Sequence, residues 1–412
     1  MRRILLLLVA GTLLAQNRSG TYLGELSGMM GRLRLGLELT TGADGKPVAE
    51  MISIDQAYAR MSARTTEING KTLKVSFASV NASFEGDFSE DGQAITGKFV
   101  QGAPFDLVFH KVDALPVPNR PQEPKAPFPY TSEDVSFRGG AEGVLLAGTF
   151  TRPPTGGKFT SLVLVTGSGP QDRDEAIAMH KPFLVLADYL TRAGFAVLRY
   201  DDRGFAKSTG TFKGSTTQDF AQDALAAVKY LRTRKDVANV VVLGHSEGGV
   251  IAPIVANLDG KLAGIVLLAG TAVTGEQILR KQLPDLARSA GMSDEMAEAN
   301  ARLGLETIMK RKDSDPWLAY FWSYDPAPEL AKVKCPVLAL NGSLDMQVSA
   351  ELNLPIIEKR LKDNPKVTVM KLPNLNHLFQ TATTGSGLEY GKIEETMSPV
   401  VLEAIKNWLK KL

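Results

Sequence analysis

Val240, Val241, Val242 and Leu243 form an unbroken apolar run that stops at Gly244-His245-Ser246-Glu247-Gly248 and resumes as EGGVIAPIVANL. β-Formers without polar alternation read as a strand covered on both faces, which calls for a parallel sheet with helices above and below it. Val250, Ile251, Ile254 and Val255 then recur at helical spacing, so a helix starts almost where the strand ends. Ser246 stands at that hinge. A reversal this tight needs residues without side chains where neighbouring backbones crowd, and glycines flank the serine on both sides.

The same pattern of apolar strand and amphipathic helix runs from about residue 133 to the end. Strands are predicted at VLLAGTF, SLVLVTG, FAVLRYD, NVVVLGH, AGIVLLAG, CPVLALNG and KVTVMKLP. Between two of them, Phe220, Ala224, Leu225, Val228 and Leu231 make one helical stripe behind a start signal at Thr216 and Asp219. Ser398-Pro399 opens a last helix with Leu402, Ile405, Trp408 and Leu409 inward. The fold class is therefore α/β, a mostly parallel doubly wound sheet, whose ligands bind outside the carboxyl ends of its strands. Residues 271–334 are too long for one crossover and are predicted to form a helical cap over that edge. For Trp317, Tyr320, Phe321 and Tyr324, at helical spacing in the cap, packing against the body outweighs direct substrate contact.

A different domain precedes this one. From residue 20 to 112 the apolar residues alternate, as in Leu33, Leu35, Leu37 and Leu39, with turn signals at Asn69-Gly70 and Asp91-Gly92. An all-β barrel or sandwich of lipocalin-like appearance is predicted, its interior either packed or a pocket. Residues 113–132 hold Pro116, Pro118, Pro121, Pro124, Pro127 and Pro129 and read as an extended, semi-rigid connector. At the start, Arg2 and Arg3 precede an apolar run from Ile4 to Ala15 that is too short to span a bilayer, so residues 1–15 are expected to be a signal peptide and the protein to be exported, without stable membrane insertion once processed.

A net charge of +2 argues against a nucleic-acid partner. Cys335 is the sole cysteine, so no internal disulfide forms, and with four scattered histidines no metal-ligand spacing exists. No metal and no organic cofactor are implied, and the oligomeric state is not indicated.

Gly-x-Ser-x-Gly between strand and helix is the pattern of a nucleophile elbow. A serine hydroxyl is a weak nucleophile that needs an adjacent base, itself oriented by a carboxylate. Of the four histidines, His110 lies in the β domain, His180 precedes the first helix and His245 is part of the elbow. His377, in LPNLNHLFQ just past KVTVMKLP, is the expected base. Asp345, directly after CPVLALNG, is the expected acid, whereas Asp363 precedes its strand and falls on the opposite edge. Oxyanion donors are expected at the N–H of Glu247, after the nucleophile, and of Ser168 in the loop after SLVLVTG, with Gly169 as its rival.

Together GHSEGG, GSGPQDRD, YDDRGFAKSTG, and LALNGSLDMQV followed by Asn376-His377 resemble secreted bacterial α/β-hydrolases grouped with S33-type serine aminopeptidases and carboxylesterases. The resemblance spans about residues 133–412; the β segment resembles domains attached to some members. It implies a structural turn at Asp201-Asp202-Arg203-Gly204, and Thr166 departs from the histidine common before the oxyanion-loop glycine. Acyl transfer to water from a small-molecule substrate is the expected chemistry, a short or medium acyl ester before a short peptide. A peptidase would need carboxylates for the substrate ammonium, for which Glu247, Glu295, Glu298 and Glu306 are candidates, although acidic residues at helical spacing are more often a solvated face. An exported ligand-binding protein with an inert body is the remaining alternative, disfavoured by the complete Ser-Asp-His set.

Overall fold

The computed structural model describes residues 18–28, 31–56 and 58–412, which divide into two compact units on either side of Val117 and Pro118. The expected signal peptide lies outside the described residues.

Among the described residues of the first unit, alternation produces nine strands: β1 (Gly20–Gly28), β2 (Gly31–Thr41), β3 (Pro47–Ser53), β4 (Ala59–Ser62), β5 (Thr65–Asn69), β6 (Thr72–Phe77), β7 (Ala82–Phe88), β8 (Ala94–Gln101) and β9 (Ala103–Val112). They form one antiparallel sheet in the order β4-β3-β2-β1-β9-β8-β7-β6-β5. Its two outer strands, β4 and β5, are consecutive in the chain, separated only by Ala63 and Arg64. The sheet must therefore roll up. Ala63 N–H reaches the Ala49 carbonyl at 3.0 Å and Arg64 N–H the Ser76 carbonyl at 2.7 Å, so this short link is tied to both ends of the rolled sheet. One residue of every two faces inward, and Tyr22, Leu37, Leu73, Phe77, Phe84 and Phe109 make a packed core in which Phe84 and Phe109 meet edge to face at 5.2 Å.

The second unit is an eight-stranded sheet with helices on both faces. Its elements are β10 (Thr131–Arg138), β11 (Leu145–Arg152), β12 (Phe159–Val165), α1 (Pro182–Arg192), β13 (Ala196–Tyr200), α2 (Thr217–Thr233), β14 (Val237–His245), α3 (Glu247–Asp259) and β15 (Gly264–Leu268). After them come α4 (Gly275–Ser289), α5 (Asp294–Lys312), α6 (Pro316–Ser323), α7 (Ala327–Lys332), β16 (Val337–Gly342), α8 (Ala350–Arg360), β17 (Val367–Leu372) and α9 (Pro399–Leu409). Strand order is β10-β11-β13-β12-β14-β15-β16-β17, parallel from β13 onward, which puts β14 in the interior of the sheet. Every residue of β13, β15 and β16 is buried. Val163, Val242, Ile265 and Ala339 pack on one side with α2, α3 and α8, while Leu162, Val241, Val266 and Leu338 pack on the other with Phe183 and Leu186 of α1 and Trp408 of α9. This is why the strands read as continuous apolar runs.

Two features differ from the sequence expectation. Strand β10 was absent from it because TSEDVSFR sits at the sheet edge and buries only Phe137. The stretch read as a connector also joins the second unit from Pro118 on. Arg120 donates to the carbonyls of Ile393 and Gly391, both at 2.9 Å, and Gln122 Oε1 accepts the N–H groups of Thr396 and Met397. Backbone partners so distant along the chain leave no local pattern.

Candidate active site

Ser246 follows β14 and caps α3 with φ 53° and ψ −114°, a backbone conformation disfavoured for any residue with a Cβ. Its N–H bonds to the Leu268 carbonyl at 2.8 Å and its carbonyl accepts the Gly249 N–H at 2.9 Å, so neighbours on both sides hold the strain. A Cβ on Gly244 would lie 1.9 Å from the Gly248 oxygen, and one on Gly248 would lie 2.2 Å from the Val165 oxygen. Close backbone approach dictates both glycines. Gly248→Ala is accordingly expected to cost about 3 kcal/mol or more, since rigid backbone cannot step aside; an unchanged denaturation midpoint would contradict it.

Loops at the carboxyl ends of β16 and β17 supply the other two residues. Asp345 Oδ2 accepts the Nδ1–H of His377 at 2.8 Å, and its Oδ1 accepts the N–H groups of Gln347 at 2.9 Å and Val348 at 2.8 Å. Both side chains are buried. The loop carrying His377 is braced by Asn376, whose Oδ1 accepts the N–H groups of Leu378 and Gln380, and by the buried Phe379. Its position beside the elbow comes from His245: the Nε2 of that residue bonds to the His377 carbonyl at 3.0 Å, and the two rings lie 4.8 Å apart. Ser246 Oγ has no hydrogen-bond partner among the described residues; nucleophile–base bonds commonly tighten only around substrate.

Ser246, Glu247 and Ser168 line one cavity of about 230 Å³, walled by Val250, Val273, Ile278 and Leu279 and by Trp317, Phe321 and Tyr324. The last three thus wall the cavity from the cap side, while Tyr320 stacks on Tyr324. Trp317 Nε1–H donates to Glu247 Oε1 at 2.9 Å, and Thr217 Oγ–H donates to the same oxygen at 2.6 Å. Burial pushes the Glu247 carboxyl up from its ordinary range, while bonds from Thr217, Trp317 and Ser168 oppose that rise. Glu295, Glu298 and Glu306 lie on the exposed face of the cap, Glu298 paired with Arg288.

Sequence reading missed Glu175 and the role of His245. The Glu175 carboxylate Oε1 lies 2.9 Å from His245 Nδ1 and accepts the Gly167 N–H at 2.8 Å. Its only sequence signal is adjacency, for GSGPQDRD ends one residue short of it. The turn at Asp201 to Gly204 is structural: Asp201 pairs with Arg173 at 2.7 Å, and Arg203 with Asp223 at 2.6 Å. Asp202 accepts from Thr166 and Gln171, and burial raises it to about 8. His180 is enclosed between Thr396 and the Tyr390 carbonyl, and burial lowers it to about 4. Among the described residues, no three His, Cys, Asp or Glu side chains group as metal ligands would, and no helix is long and apolar enough to cross a membrane.

A doubly wound sheet with a strained serine after an interior strand, and with an Asp–His pair on the loops of two later strands, defines an α/β-hydrolase. The family described as serine aminopeptidase, S33, matches residues 181–313. Esterase EstD of Thermotoga maritima is 32% identical over 296 residues, 69% of each chain, and the chain belongs to the same family of hydrolases. A non-heme chloroperoxidase of Burkholderia pyrrocinia is 34% identical over 109 residues, 24% of this chain and 37% of that protein. Among solved structures, an esterase of Pyrococcus furiosus superposes with a TM-score of 0.48 at 16% identity, covering 73% of this chain and 99% of its own.

Proposed function

We propose that this hydrolase is a serine carboxylesterase acting on short or medium acyl esters through an acyl-enzyme. The observation that carries the reading is the buried Asp345–His377 pair at 2.8 Å, held against the elbow by the His245 bond to the His377 carbonyl. With Asp345 accepting from Nδ1, the His377 Nε2 is left free to take the Ser246 proton as Oγ attacks the ester carbonyl. The oxyanion then meets the N–H groups of Glu247 and Ser168, each such donor being worth about 3 kcal/mol. Protonated His377 next passes its proton to the departing alkoxide, and water hydrolyses the acyl-serine by the reverse sequence. A largely apolar cavity of about 230 Å³ suits a small acyl or alcohol group.

Glu247 supports a second reading, an aminopeptidase, because its carboxylate lines the cavity where a substrate ammonium could sit. Against this, Thr217 and Trp317 already donate to that carboxylate. Side-by-side turnover of p-nitrophenyl esters and aminoacyl anilides decides: preference for the anilides would reverse the assignment. Export of the chain through residues 1–15 is part of the proposal, tested by following processing and location of the full-length precursor.

Trp317 joins cap to body through Glu247, at the wall of the cavity that Ser246 also lines. Trp317→Phe keeps an aromatic wall but removes the donor to Glu247, and is expected to raise KM about tenfold with kcat nearly unchanged. Steady-state kinetics with KM unaltered would show that the Trp317–Glu247 bond does not shape the site.

A further inference from the structure

Glu175 lies in the loop between β12 and α1 with φ 52°, 3% exposed. A non-glycine residue stays in that conformation only if its surroundings over-determine it. They do here: Asp172 Oδ1 accepts the N–H groups of Asp174 and Ala176, Arg173 pairs with Asp201, and Asp174 pairs with Arg199. The loop is thus a rigid mount that aims one carboxylate inward.

What that carboxylate touches is unusual. Through the Gly167 N–H it holds the residue before Ser168 in the loop expected to donate to the oxyanion. Through His245 Nδ1 it holds the residue before Ser246, and His245 Nε2 in turn bonds to the carbonyl of His377. One acidic group therefore sets the mutual spacing of oxyanion loop, nucleophile and base. Gly167 is close enough to the serine that a Cβ there would lie 3.3 Å from Ser246 Cβ, so small displacements of this loop reach the reacting atoms.

The protonation of His245 follows from its partners. A carbonyl only accepts, so Nε2 must carry a hydrogen; an ionised Glu175, already accepting from Gly167, requires one on Nδ1 as well. Burial alone would lower His245, yet the charge and hydrogen bond of Glu175 and the bond to the His377 carbonyl outweigh it and leave it raised. We propose that Glu175 and His245 form a second carboxylate–imidazole pair, an ion pair behind the catalytic one, in which Glu175 is a positioning residue for both the oxyanion loop and His377. The inference rests on the triad reading given above.

Glu175→Gln is nearly isosteric and separates charge from shape. Its amide oxygen can still accept from Gly167 and from a neutral His245, but Nε2 then loses its hydrogen and faces the His377 carbonyl as a second acceptor. We expect kcat per active site, counted by fluorophosphonate titration, to fall about 10- to 100-fold with KM within about twofold. His245→Asn should fall similarly, and the double variant no further than the worse single one, since both act through one chain. A variant with wild-type kcat, or singles whose losses multiply, would overturn the proposal.

Wild-type protein offers a measurement independent of any variant. In ¹⁵N-histidine spectra at about pH 8, where an ordinary imidazole is neutral, one of the four histidines should carry hydrogens on both ring nitrogens. Four neutral rings would refute the ion pair. Ser246→Ala is run in parallel: if it is inactive while Glu175→Gln is fully active, positioning fails and the triad stands. If Ser246→Ala retains activity, the triad reading itself fails.

Discussion

Ser246→Ala is expected to lower kcat about 10⁶-fold, the scale of loss seen when a serine nucleophile is removed from a comparable triad. Its Oγ makes no hydrogen bond among the described residues, so deletion takes nothing from the resting fold. The strained φ of 53° is held by the backbone bonds to Leu268 and Gly249, which alanine keeps. Stability should therefore stay within about 1 kcal/mol of wild type, and the variant should bind substrate normally. A fluorophosphonate that labels the wild type should leave the variant unlabelled. Residual turnover above water would come from oxyanion donors and binding alone. Substantial ester hydrolysis by a folded Ser246→Ala protein would remove Ser246 from the mechanism.

Asp345→Asn should cost on the order of 10⁴-fold in kcat, for a reason that its hydrogen bonds make specific. Oδ1 accepts two backbone N–H groups, from Gln347 and Val348, whereas Oδ2 accepts one hydrogen from His377. An asparagine will turn its carbonyl to the two N–H groups, because the opposite orientation sets donors against donors twice. Its NH₂ then faces Nδ1 and stabilises the tautomer with hydrogen on Nε2, which cannot accept the Ser246 proton. The loop geometry survives while the base is disabled. Near-normal turnover of this variant would show that another carboxylate orients His377.

Where each site residue entered the reading depends on how locally it is encoded. Ser246 was legible because a buried strand, two crowding glycines and a helix start are all written within a dozen consecutive residues. His377 and Asp345 were reached by a coarser rule, that loops after parallel strands share one edge of the sheet; their 2.8 Å contact spans 32 positions and needed coordinates. Glu175, by contrast, sits in an unremarkable turn. Its partners are Gly167, in the loop after β12, and His245, the last residue of β14; these strands are adjacent in space but separated in sequence by α1, β13 and α2. Trp317 was likewise readable as a helical aromatic and not as a donor to Glu247.

In the first unit, period-two alternation specified strands and their inward faces, yet left open whether the interior was solid or hollow. Closure through Ala63 and Arg64 and the large side chains Phe77, Phe84 and Phe109 make it solid. Elsewhere, composition marked residues 113–132 as extended, while the bonds of Arg120 and Gln122 attach part of that stretch to the second unit.

The sequence alone determined the strand and helix periods, the elbow and the types of residue available for chemistry, because hydrophobic burial and backbone sterics act between near neighbours. Tertiary structure decided which carboxylate meets which imidazole and which aromatic rings wall the cavity. Those contacts last only where packing holds groups from separate loops within about 3 Å, and no short stretch of chain records that distance.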